Sequence, residues 1–322
     1  MHTTRDVVPS ATTQQTGSAG SRSGEVRPKR LPASGHRRAI WVLVLPAAIA
    51  YGGLLIYPDI RSVVEAFTNW SGILPGQKFV GFTNFWKALR DSIVIEGFRN
   101  VALIAIVVTI VQNGLGLLVA LALHRKLKSR LVLRALFFLP VLINPLVIAY
   151  VWQFIFTYGG PLDSVLSALG LQALEVNYLG SSHYALASCL IPMCWQYVGY
   201  SMVIFLAGLE GIPTELGEAA DLDGADRWQH FRHVTWPLLA PALTINALLT
   251  VVGGLNAFTV IFALTNGGPG NATQTVTTIL FNDSFLYGQY GYGTAIAVML
   301  SIVVVGVAFA LLKGLRSREL VL

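Results

Sequence analysis

Six carboxylates, Glu210, Glu215, Glu218, Asp221, Asp223 and Asp226, fall within one stretch of an otherwise greasy chain, and only Arg227 and Arg232 follow them. His230 and His233 stand three apart just beyond, a spacing that can share a helix face, but no third ligand is evident for a metal. The two cysteines, Cys189 and Cys194, are five apart in an apolar run. They do not face each other on a helix, which argues against a disulfide or a metal pair. No hydrolytic triad, redox motif or phosphate-cradling Gly-Lys-Ser/Thr loop occurs. What remains is an acidic, glycine-punctuated segment whose chemistry suits contact with a basic protein surface.

The surroundings of that segment are a membrane protein's. Charged residues make up 12% of the 322 and hydrophobic ones 54%, against about 25% charged in soluble domains. The net charge of +6 does not form a nucleic-acid-binding face, because the charges cluster at the ends of apolar runs. A span needs about 20 apolar residues. Six such spans are expected, at 39–58, 101–123, 133–157, 184–208, 238–263 and 293–313, with the glycine-rich, polar stretch 264–275 as a loop. With both termini cytoplasmic, 17 of the 22 Lys and Arg fall on inner segments and their span edges, and the other five lie between Arg61 and Arg99. That asymmetry predicts an N-in, C-in topology.

Residues 1–37 are rich in Ser, Thr, Gly and Pro, with no apolar periodicity, and read as a disordered basic cytoplasmic tail. Ala48-Ile49-Ala50 has the small-x-small form of a signal-peptide cleavage site. The region before it is too long, and the apolar run continues past it through Leu54, Leu55 and Ile56, so cleavage is not expected.

Apart from Lys313 at the last position of the final one, no Asp, Glu or Lys lies inside an expected span, and Arg134 sits only at an entrance. This argues against a chain that couples transport to protons by itself. Neutral polar groups do lie in the spans: Gln112, Asn113, Asn144, Gln153, Gln196, Tyr197, Tyr200, Asn246 and Asn256. They serve either as helix–helix hydrogen bonds or as a neutral pathway that suits an uncharged polyhydroxyl solute.

The acidic loop is long enough for two short helices. Thr214 after Pro213 is a candidate N-cap, Glu215 and Glu218 favour the first turn, and Gly224 is a natural stop. A second helix is expected over 225–233, with Trp228 and Phe231 on one face, and Pro237 opens the next span. A lipid-surface helix would show a basic polar face. The acidity here favours a protein partner.

These residues resemble the signature loop of ABC importer permeases. Glu218-Ala219-Ala220, Asp223-Gly224-Ala225, Phe231, Val234 and Pro237 carry the likeness, with Trp236 departing from the usual leucine. Phe79-Val80-Gly81-Phe82-Thr83-Asn84-Phe85, Phe137-Phe138-Leu139-Pro140 with Arg134 and Trp152, Leu264-Thr265-Asn266-Gly267-Gly268-Pro269 and Tyr290-Gly291-Tyr292-Gly293 resemble the carbohydrate-uptake branch, of maltose or glycerol-phosphate type. The resemblance implies an all-α membrane protein over 38–322 with six spans and a cytoplasmic coupling helix. It implies a second permease, two ATP-binding subunits that hold ATP and Mg, and an extracytoplasmic solute-binding protein as partners, and no cofactor or catalytic residue in this chain. Glu218, Ala219, Ala220, Asp223, Gly224 and Pro237 would couple to the ATPase. Gln196, Tyr197, Tyr200, Asn256 and Phe258 would line the path of a sugar-like solute. Two alternatives remain, a self-contained secondary carrier or channel for a neutral solute, and a membrane scaffold that docks a protein without moving solute.

Overall fold

The structure is a computed structural model that describes residues 44–73, 76–125 and 128–316. The chain divides into two units, residues 1–56 and 57–322. In the first, residues 44–56 are helical throughout and end in a π-helical turn, Gly52–Ile56. The expected tail and the start of the first span lie outside the described residues.

The second unit is helical, and among the described residues its only β pairing is one isolated bridge, Thr68 to Phe79. It opens with α1 (Tyr57–Glu65), a short α2 (Thr83–Arg90) and the long α3 (Ser92–His124). Asp91 caps α3, its carboxylate accepting from the Ile93 N–H at 2.9 Å. At 33 residues and about 1.5 Å rise per residue, α3 exceeds the ~30 Å hydrocarbon thickness. Its first turns, with Glu96 and Arg99 exposed, are the excess.

The chain continues through α4 (Arg130–Phe138), a 3-10 turn (Leu139–Leu142), α5 (Pro145–Ile155), α6 (Pro161–Ala168) and α7 (Ala185–Glu210). Then follow α8 (Thr214–Leu222), α9 (Arg227–His230), a π turn (Phe231–Thr235), α10 (Trp236–Leu238) and α11 (Ala240–Leu255). The last elements are α12 (Thr259–Leu264), α13 (Val276–Phe281) and α14 (Tyr290–Arg316).

Among the described residues, helices α3, α7 and α14 are each long and apolar enough to cross a membrane, and two bent pairs raise the number to as many as five. The expected spans 133–157 and 238–263 are therefore not single straight rods. The first bends by 94° between Leu142 and Pro145. Pro140 and Pro145 cannot donate backbone hydrogen bonds, and Asn144 caps the new helix, accepting from the Leu146 N–H at 2.8 Å. The second bends by 64° at Leu239 and then stops at Leu255, so that 256–258 are non-helical before α12 resumes.

The centre is the packing of α7 and α11 on α3. Small residues let these backbones touch. A Cβ on Gly116 would lie 2.6 Å from Ser201 Cβ, and one on Gly254 would lie 2.5 Å from Ala105 Cα. Side-chain hydrogen bonds tie the same helices. Gln112 donates to Ser201 Oγ (2.9 Å), Asn113 donates to Thr250 Oγ1 (3.0 Å), and Asn246 donates to the Ser201 carbonyl (3.3 Å). In an apolar medium each amide left unpaired would cost several kcal/mol, so this set fixes the register of the three helices. Both cysteines are buried and free.

Candidate functional site

The acidic loop forms a compact helical hairpin. Helix α8 begins after Pro213, which occupies the N-cap position with no side-chain cap, so Thr214 is the first helical residue rather than the cap. Its end is fully capped. Gly224 takes φ +75°, Ala225 N–H donates to Ala220 O (3.0 Å), and Gly224 N–H donates to Asp221 O (3.1 Å). This paired pattern is the Schellman motif, which needs a residue tolerant of the left-handed region at Gly224. The next helix starts at Arg227, two residues later than expected, because Asp226 makes a capping box. Its carboxylate accepts from Trp228 and Gln229 N–H (2.8 Å each), while Gln229 Oε1 accepts from the Asp226 N–H (2.9 Å). The π turn then widens the helix just ahead of Pro237, whose ring cannot continue a regular ladder.

Glu218, Ala219, Asp223 and Gly224 are exposed, and Ala220 and Pro237 are half-buried. Leu222 is 89% exposed, an apolar side chain with almost no cover among the described residues. Behind the hairpin, Arg134 in the middle of α4 pairs with Glu210 at the end of α7 (2.8 Å). The end of α7, to which α8 is joined by three residues, is thereby tied to the bent span.

A second site lies between α7 and the non-helical stretch 256–258. A cavity of about 430 Å³ is lined there by Tyr197, Tyr200, Asn256 and Phe258, with Gln112, Met193, Thr250 and Thr259 among the other residues. No lining side chain is ionisable at neutral pH. Neither tyrosine hydroxyl has a partner among the described residues. Asn256 donates one bond, to the Val252 carbonyl at 2.9 Å. Phe258 stacks on Phe262 at 5.1 Å, and both rings abut Phe281. Gln196 is not part of this wall. It is fully buried, and its amide donates to the Ile143 carbonyl (2.9 Å) at the 94° bend. Thr250 belongs to the wall without having been singled out, and Gln112 was expected only as one of the neutral polar groups of the spans. The available signal was spacing, since Thr250 shares a helix face with Asn246 four residues earlier.

Residues 112–318 match the family described as binding-protein-dependent transport system inner membrane component. The chain belongs to this family. Relatives extend the likeness beyond the matched segment. The multiple sugar-binding transport system permease protein MsmF of Streptococcus mutans is 35% identical over 266 residues, covering 82% of this chain and 90% of that one. The diacetylchitobiose uptake system permease protein NgcF of Streptomyces coelicolor is 32% identical and covers 98% of this chain and 92% of that one. The trehalose/maltose transport system permease protein MalF of Thermococcus litoralis is 31% identical, covering 87% and 94%. The fold matches a chain of a bacterial ABC transporter that imports the acidic polysaccharide alginate, with a TM-score of 0.78 and 20% identity over 88% of this chain and 96% of that one. This inner membrane component therefore places its acidic loop on a capped, exposed helix, and a neutral cavity between the helices that flank the loop.

Proposed function

We propose that this permease carries a carbohydrate or related uncharged polyhydroxyl solute inward, driven by ATP hydrolysis on separate subunits. The observation that carries the reading is the 430 Å³ cavity, within the ~300–1,000 Å³ of ligand pockets. Its wall offers aromatic faces from Tyr197, Tyr200 and Phe258, which stack on sugar rings, and amides and hydroxyls from Gln112, Thr250 and Asn256, which pair with sugar hydroxyls. With no charged group to neutralise an ionised solute, it suits a neutral one. The printed roles of the relatives, sugar, diacetylchitobiose and trehalose/maltose uptake, point the same way.

Both termini and α8 are assigned to the cytoplasm from the distribution of Lys and Arg. There α8 lies in a groove of one of two ATP-binding subunits, with Glu218 meeting a basic residue, and Leu222 and Ala219 covered on docking. ATP and Mg stay on that partner, since this chain has no phosphate-binding loop. Closure of the ATPase pair pushes α8, and the push passes through α9 and Pro237 into α11, whose far end carries Asn256 at the cavity. A second permease completes the pathway, and a solute-binding protein delivers from outside.

The test is Glu218→Lys, read by co-purification of the ATPase and by uptake of radiolabelled sugar in membrane vesicles. Loss of both, with normal membrane insertion, is the expected result. Unchanged association together with unchanged uptake would overturn the assignment of α8, and sugar accumulation by the purified chain alone in liposomes would overturn the whole reading.

A further inference from the structure

The segment Phe79–Phe85 and the helix that follows it play no part in the coupling loop or the cavity, yet they are built with care. Asn84 donates twice to the residues just after α1, to Ala66 O (2.9 Å) and Thr68 O (2.8 Å). Val80 N–H donates to Phe67 O at 2.8 Å, and Thr83 Oγ1 donates to Val80 O at 2.7 Å. Phe67 gathers Phe79, Phe82 and Phe85 around its ring, with centroids 5.1 to 6.4 Å away. On α2 the same side carries Lys87, exposed but with its ammonium 3.9 Å over the Tyr292 ring and donating to Gln289 Oε1 at 2.8 Å, and Ala88, fully buried. Asn84, Lys87 and Ala88 form one helix face, tied to residues 66–68 and to α14.

The opposite face is apolar and, among the described residues, largely uncovered. Phe82, Trp86 and Leu89, at helical spacing, are 65%, 60% and 54% exposed, and Phe79 beside them is 79% exposed. A helix so firmly held by one side is not turned outward by accident of packing.

We propose that α2 and Phe79 form a membrane-interface anchor, whose occupant is the boundary between lipid headgroups and acyl chains. Three observations select lipid over protein. The face precedes spanning helix α3 by one residue, Asp91, and the exposed side of that helix is apolar at Leu103, Ile106 and Ile110. It lies at the level where α1 ends and α3 and α14 begin, next to the charged residues Asp91, Glu96 and Arg99 that mark the edge of the apolar span. Its makeup, a Trp and a Phe bordered by the exposed Arg90, is that of an interfacial helix, with aromatic rings at the headgroup level and a cation toward phosphate. The anchor sets the height of the α1–α3 connection in the bilayer and rests on the membrane character of the chain, independently of which solute it carries.

The experiment uses the full-length chain, purified with its associated subunits and placed in phosphatidylcholine nanodiscs. Emission due to Trp86 is isolated as the difference between the wild type and Trp86→Phe, which retains an aromatic ring. Lipid brominated at acyl positions 6 and 7 should quench that emission at least twofold, and aqueous iodide should leave it almost unchanged. A nitroxide on Trp86→Cys gives an independent reading, with oxygen expected to broaden its spectrum more than a water-soluble nickel chelate does. Quenching by iodide and not by bromolipid would overturn the proposal. So would protection from both quenchers that appears only when the purified solute-binding protein is added, since that would make the face a protein-docking surface.

Discussion

Replacing Gly224 with alanine isolates one backbone requirement of α8. The residue sits at φ +75°, and no atom lies within 4 Å of where a Cβ would be placed. The change therefore adds no clash and removes no side-chain contact. Its whole effect is the cost of holding an L-residue in the left-handed region, about 1–2 kcal/mol, which is a factor of roughly 5–30 in the population of the capped helix end. The two Schellman bonds, from Ala225 N–H to Ala220 O and from Gly224 N–H to Asp221 O, should fray by that factor. Amide exchange at 224 and 225 is the direct readout. ATPase affinity, measured by titrating the purified ATP-binding subunit, should weaken by up to the same ~5–30-fold, because only the capped fraction is competent to bind. Gly224→Asn should recover most of the loss, since asparagine tolerates this conformation. Faster exchange at 224 and 225 with unchanged ATPase affinity and unchanged uptake would refute the idea that the ordered end of α8 is what the ATPase grips.

Neighbouring glycines on α11 should part company in a thermal unfolding assay. Gly254→Ala forces α3 and α11 apart at Ala105 and should cost about 1–3 kcal/mol as overpacking, whereas Gly253→Ala, with open space around it, should be neutral or gain up to ~1 kcal/mol of helix propensity. Gln196→Leu leaves the Ile143 carbonyl unpaired at the 94° bend and should cost about 1–3 kcal/mol of stability, with the apparent KM for solute unchanged in the folded fraction. Tyr200→Ala should do the reverse, keeping the unfolding midpoint while lowering uptake by about tenfold or more, the order expected for losing a ring stack worth ~0.5–1.5 kcal/mol plus its buried area. Uptake assays at matched expression separate the two.

Long apolar runs without charge made α3, α7 and α14 legible, because a bilayer-length helix leaves its mark in composition alone. The cap at Gly224 was legible for a similar reason, being set by one residue's backbone freedom. The bends were not read, although Pro140, Asn144 and Pro145 stood in the sequence. A hydropathy window averages over them, while the backbone obeys the missing N–H groups locally. The gap at 256–258 carries no proline and no charge, and it is held from outside, by Thr277 donating to the Ala257 carbonyl at 2.6 Å. Such long-range support has no local signature. The same limit applies to the polar side chains of the spans. Gln196 and Asn256 look alike as intramembrane amides, and only their packing puts one at a bend and the other at a cavity.

The glycine contacts at Ala105 and Ser201 have a mechanical consequence. Helices that meet backbone to backbone, pinned further by Asn113, Asn246 and Gln112, cannot slide past one another by part of a turn without collision. The α3–α7–α11 trio must therefore swing as one rigid wedge. Any flexing that opens the cavity first to one side and then to the other is left to the joints at Leu239 and Asn256, where the ladder of backbone hydrogen bonds is already interrupted.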